Sequence, residues 1–216
     1  MASQLQYELE GIDKLRSGTL LLIVVPLLLL AASIVIAIGA FIATRPAAGA
    51  VVSVNGATRY YVVHMGPAPL PLAASLGAAI GVAAIAVVLL VVSFLALGRL
   101  SVGFKALEAA GKGGWAGVAG VWLIIAAVIV ALVGAATFMF GGFIAVDLSF
   151  IIAVVGFILI GVGLFEVGSY YNDALLEAGG ILTAIPLVIT SFIGLIISYV
   201  GLGEVERRLR EAAPKA

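Results

Sequence analysis

Cysteine is absent from the 216-residue chain, and histidine occurs once, at His64. The first absence excludes disulfides, thiolate zinc sites, thiolate-bound iron–sulfur clusters and cysteine nucleophiles. The second excludes a polyhistidine metal site and a bis-histidine haem. Gln and Asn are scarce as well, confined to Gln4, Gln6, Asn55 and Asn172. That scarcity fits a thermophile, and fits equally a membrane chain of any origin. Charged residues make up only 10% of the chain, against ~25% in average globular proteins. Eleven Lys and Arg balance eleven Asp and Glu, so no net field selects an acidic or a basic partner.

Apolar residues take the place of the missing charge. They are 64% of the chain, and the mean hydropathy is +1.31. A chain of this size cannot hide that much apolar surface from water. A soluble enzyme, a disordered chain and a nucleic-acid binder are therefore excluded, and an integral membrane protein is expected. Charge-free windows run from Arg16 to Arg45, Arg59 to Arg99, Lys112 to Asp147, Asp147 to Glu166 and Glu177 to Glu204. A helix crosses the ~30 Å hydrocarbon core with about 20 apolar residues. Trimmed for loops, the windows predict five spans: 18–43, 72–98, 115–140, 146–170 and 178–202. The first is too long for a signal-peptide core and is read as a retained anchor. In the fourth, Asp147 and Glu166 stand about 28 Å apart along a helix, so each reaches its own interface and the two cannot act as an acid–base pair.

The connection 44–71 is long. Asn55-Gly56 between β-branched runs is a hairpin signal, because both turn positions favour positive φ. A two-residue loop pairs Val54 with Ala57, and residues 49–63 are expected as a β-hairpin outside the bilayer. It would serve either as a small cap for a ligand or partner, or simply as an ordered exposed loop. The predicted fold class is thus an all-α integral membrane protein, a five-helix transmembrane bundle with a small β-hairpin between helices 1 and 2. Residues 1–17 form an amphipathic N-terminal segment and 204–216 a charged C-terminal tail.

Leu5, Leu9 and Ile12 recur at helical spacing, as do Leu100, Phe104 and Leu107, and then Val205 and Leu209. Short helices of this kind lie in the interface plane or contact a soluble partner. Glu204–Arg208 and Glu206–Arg210 add i,i+4 pairs. Gly11-Ile12-Asp13-Lys14-Leu15 and Gly103-Phe104-Lys105-Ala106-Leu107 precede spans one and three, and Asp173-Ala174-Leu175-Leu176-Glu177 precedes span five, a faint repeat. Five crossings put the N-terminus, 99–114 and 171–177 on one side and the C-terminal tail on the other. Lys and Arg near the span ends then nearly tie between the two sides.

Helices associate in lipid through small residues that let backbones approach. Span five carries Gly179, Thr183, Pro186, Thr190, Gly194, Ser198 and Gly201 on one helical face, which makes it the expected centre of the bundle. These residues are helix-packing candidates, and the same stripe could line a solute path. Span one is bulky from Leu20 to Leu30 and is expected to face lipid. Glu166, Asp173 and Glu177 fall with Tyr170 on one face if the helix continues, a weak polar site that could take a cation. Gly111-Lys112-Gly113-Gly114 lacks the strand and the Ser/Thr of a phosphate loop. His64 has no second ligand nearby.

The stretch Tyr170-Tyr171-Asn172-Asp173, then Leu175 to Leu182, Ile185-Pro186, Ser191-Phe192-Ile193-Gly194 and Tyr199-Val200-Gly201-Leu202-Gly203 resembles domain-of-unknown-function family 973, an archaeal multi-pass membrane family. Gly11 to Gly18 is similar to that family's entry segment. The resemblance implies an archaeal membrane location and several spans. It implies no activity, cofactor or site residue.

Two readings follow. One is a multi-pass protein of the cell membrane acting as a non-catalytic scaffold or accessory subunit, with a membrane-protein partner or a second copy docked in the bilayer. The other is a small transporter or permease component. No nucleophile–base pair or metal constellation is present, so no enzyme, cofactor, metal site or nucleic-acid partner is expected.

Overall fold

Lipid offers no hydrogen bonds, so apolar runs must satisfy their backbone internally, as helices. The computed structural model describes residues 2–43, 53–54, 57–58, 72–137 and 142–212. Its helices are α1 (Ala2–Ala43), α2 (Leu72–Ala109), α3 (Trp115–Ala136), α4 (Phe143–Tyr171), α5 (Ala174–Ala184) and α6 (Val188–Ala212). Five of them, all but α5, are long and apolar enough to cross a membrane.

The fold class is all-α, which corrects the expected β-hairpin module. Among the described residues, strand structure is limited to β1 (Ser53–Val54) and β2 (Ala57–Thr58), with Val54 opposite Ala57 and Ser53 opposite Thr58. The rest of 49–63, including Asn55 and Gly56, lies outside the described residues. Pairs this short cannot form an independent element, since even a full two-stranded hairpin is marginal in water.

The amphipathic flanks are not separate interfacial helices. Residues 2–17 run straight into the first span within α1, and 99–109 continue the second within α2. Their apolar stripes are core: Ile12, Leu100, Phe104, Leu107 and Val205 are buried. The chain divides into two units, residues 1–26 with 90–216, and 27–89. The second unit presents Leu27–Leu30, Ile80 and Val87 outward, as lipid contact requires.

The first unit is built from antiparallel helix pairs. In the first pair, the two Gly-x-x-x-Leu stretches read as a repeat interlock. Gly11 faces Leu107, and Gly103 faces Leu15. Each glycine receives the other helix's leucine, which explains the matching spacing without duplication. In the second pair, Gly117 meets Gly163, Gly120 meets Gly156, and Gly134 meets Gly142. At its far end the Gly142 amide donates to the Thr137 carbonyl at 3.0 Å. The other end of α4 stops because Asn172 is left-handed, φ 49°, a common helix terminator. Asp173 then caps α5, its carboxylate accepting from the Leu176 amide at 2.9 Å.

The span expected over 178–202 is broken. Ile185 precedes Pro186 and is extended, φ −76° and ψ 120°, as a residue before proline prefers. The chain reverses, and α5 packs antiparallel on α6, with Gly179 against Ser198, Thr183 against Gly194 and Leu176 against Gly201. Eleven residues of α5 rise about 16 Å, short of a ~30 Å hydrocarbon core. The α5–α6 pair turns back on itself within the first unit, and α6 alone is long enough for a span. Its tip lies beside Gly161 of α4, which runs on to Phe143. The C-terminal end of α6 consequently returns to the end where α1 begins, correcting the expected opposite placement of the tail.

Candidate functional site

The returning helices gather charged residues at one end of the first unit, and several of these pair across helices. Arg16 of α1 donates to Glu206 of α6 at 2.8 Å, and Arg210 donates to the same carboxylate at 2.6 and 2.9 Å. The Arg16 guanidinium also stacks 4.9 Å from the centre of the Tyr199 ring. Glu8 of α1 takes the Tyr171 hydroxyl at 3.1 Å and lies 3.4 Å from the Lys112 ammonium. Lys112 donates in turn to the Tyr170 hydroxyl. Arg208 pairs with Asp173. Glu166 accepts the Gly114 amide at 2.9 Å and so caps α3, whose first residue follows a glycine at φ 101°. Ion pairs and caps thus tie α1 to α4 and α6, α3 to α4, and α5 to α6.

The Tyr170 hydroxyl, and then Glu8, hold the Lys112 ammonium above its ordinary value of 10.5. A cation raised in the folded state stabilises fully below the unfolded value, and that contribution is lost as pH climbs through the folded value. Thermal unfolding of the parent and of Lys112→Gln in detergent between pH 8 and pH 11.5 should therefore show a gap that is constant below about 10.5 and closes above it. A gap that widens with pH would contradict this arrangement.

The weak polar site does not assemble. Asn172 turns the chain, so Glu166, Asp173 and Glu177 leave the common face that a continuous helix would give them. Glu166 and Asp173 cap separate helices, and Glu177 lies against Gly168. Among the described residues no three His, Asp or Glu come together as a metal site.

The small-residue stripe is likewise rearranged. Gly179 and Thr183 on α5 face Ser198 and Gly194 on α6, so the stripe is complementary to itself across the Pro186 turn. Thr183 donates to the Gly179 carbonyl at 2.7 Å, and Ser191 donates to the Ile185 and Thr183 carbonyls at 2.7 and 3.2 Å. The Leu182 carbonyl receives the Ile185 amide at 3.3 Å rather than a hydroxyl. Ser198 Oγ is buried with no partner, as are Thr19 Oγ1 and Arg16 Nε. Thr190 is half-buried. A depression of about 640 Å³ opens at the charged end, lined by Gln6, Tyr7, Leu9, Glu10, Asp13 and Arg210.

Sequence reasoning missed the Arg16–Glu206 and Glu8–Lys112–Tyr171 links. Their signal is depth: Arg16 is the last charge before the first long apolar run, and Glu206 closely follows the last one.

No match was found among curated proteins or among solved structures. Residues 8–216 match the family described as protein of unknown function (DUF973), and with nearly the whole chain covered the protein belongs to that family.

Proposed function

We propose that this membrane protein is a non-catalytic scaffold or accessory subunit of the cell membrane, oriented with both termini in the cytoplasm. One observation carries the reading. The polar and small residues that a solute path would use are turned on one another across the Pro186 turn. At the other end Glu8, Arg16, Lys112, Glu166, Asp173 and Glu206 are bound in ion pairs and caps. Eight of the eleven Lys and Arg are described residues at that end, whereas Arg45 and Arg59 fall in the connection 44–71. Positive charge gathers on the cytoplasmic side of membrane proteins, which supports the orientation.

The test is extraction of the tagged full chain in mild detergent, followed by native mass measurement. A complex of fixed stoichiometry, heavier than the 21.9 kDa protomer, is expected. A monomer under every mild condition would count against the scaffold.

A small transporter or permease component is the second reading. It is favoured by the helix break at Pro186 and by the unpartnered, buried Ser198 hydroxyl facing Gly179 of α5. Broken helices in transporters expose backbone groups near the bilayer midplane. Vesicles holding the pure chain would then become permeable to a small polar solute, and Ser198→Ala would change that flux without loss of folded protein.

A further inference from the structure

The two tryptophans of the chain, Trp115 and Trp122, lie on one face of α3, and they are 61% and 55% exposed. They are two helical turns apart, about 10 Å along the axis. Tryptophan concentrates at the membrane–water interface, about 5–7.5 Å deep on each side, and two rings this far apart would reach from the headgroups to the upper acyl chain. Beside them runs the last part of α2, held by Phe104 packed on Gly114 and Gly117. The next residue, Lys105, is exposed, and its ammonium sits 5.6 Å from the centre of the Trp122 ring.

Among the described residues Lys105, like Lys14 and Arg99, has no carboxylate within 4.0 Å, and of these three it is the one that lies over an aromatic ring. Arg16, Lys112, Arg207, Arg208 and Arg210 all have one within 4.0 Å. Among the described residues Lys105 has none, although Glu108 follows one turn later on the same helix. Its ammonium leans instead onto the exposed Trp122 ring. An ammonium at this depth without a counter-charge is costly. The lipid itself carries a counter-charge in its phosphodiester, and two indole N–H groups flank the position as donors.

We propose that Lys105, Trp122 and Trp115 form a headgroup site for an anionic phospholipid in the leaflet at the charged end of the bundle. Lys105 meets the phosphate, and the Trp rings pack against the glycerol and upper acyl chain. The site stands whether the protein is a scaffold or a transporter.

Because the chain has no other tryptophan, its intrinsic fluorescence reports on this face alone. The full chain would be placed in phosphatidylcholine nanodiscs doped with a minor fraction of dibrominated-acyl phosphatidylglycerol, or with the same fraction of dibrominated phosphatidylcholine. Brominated acyl chains quench nearby indoles. The anionic lipid should quench more strongly, reflecting an enrichment of about fivefold at one basic residue. The excess should vanish in Lys105→Gln, persist in Lys105→Arg and Lys112→Gln, and shrink in the parent as salt is raised. Equal quenching by the two lipids, an excess that survives Lys105→Gln, or an excess indifferent to salt would each overturn the proposal. The salt arm needs no variant, so it decides the matter even if Lys105→Gln does not fold.

Discussion

Gly194→Leu is expected to unfold the α5–α6 pair at a markedly lower temperature than the parent. A Cβ on Gly194 would collide with the Thr183 amide nitrogen and press on the Thr183 hydroxyl, 2.6 Å away. The first obstacle is backbone, which cannot rotate aside as a side chain can. Overpacking typically costs ~1–3 kcal/mol, and the upper end applies where two backbones form the contact. The matched control is Gly98→Leu on α2, where nothing lies within 4 Å of the added carbon. Exposed helical substitutions of that kind stay within about 0.5 kcal/mol. Thermal unfolding of both variants in one detergent decides the comparison. Equal losses would show that the α5–α6 contact is not the one holding the first unit together.

The second large effect is expected at Glu206. Its carboxylate accepts from Arg16 on one side and Arg210 on the other, and its side chain is 10% exposed. Glu206→Ala leaves Arg16 without its acid while the Nε of that guanidinium stays buried. Exposed pairs contribute about 1 kcal/mol or less, and breaking a buried one costs ~3–5 kcal/mol. Arg16 is partly exposed, so a loss of about 2–3 kcal/mol is expected, between those limits. Glu211→Ala removes only an exposed i,i+4 contact of 3.9 Å and should change little. The double variant Arg16→Met, Glu206→Leu should recover much of the loss, because a buried ion pair can be replaced by apolar packing. If the double variant is as unstable as Glu206→Ala, the cost lies in packing around α6 and not in the orphaned guanidinium.

Hydropathy made the long helices legible before any coordinates. Length and the absence of charge are enough to mark α1 to α4, because lipid leaves helix as the available form for such runs. The break within 178–202 was not legible in the same way. Pro186 was visible, and so was the stripe from Gly179 to Gly201. A periodic stripe, however, says only that close contact occurs on that face. It does not distinguish contact with a neighbouring helix from contact between the stripe's own halves. The deciding fact is conformational: Ile185 goes extended before Pro186, and the chain reverses there.

The acidic candidates failed for a related reason. Glu166, Asp173 and Glu177 share a face only if the helix continues through Asn172, and that residue adopts φ 49°. Small polar residues at helix ends often satisfy backbone donors, which is what Asp173 does at the start of α5. Ion pairs between distant helices, such as Arg16 with Glu206, left no local trace. They become visible once both residues are placed at the same depth by the helices that carry them.

The return of α6 to the starting end has a consequence for how the chain is made. A segment bearing Arg207, Arg208 and Arg210 would otherwise have to be carried across the hydrocarbon. Each basic residue resists that passage, by about 2.5–3.5 kcal/mol at a helix centre on insertion scales. Because α6 turns back along α5, Arg208 lies beside Asp173 at the start of that pair rather than at its tip. Asp173 and Arg208 close that end of the pair like a latch, and the resistance of hydrocarbon to charge would hold it there.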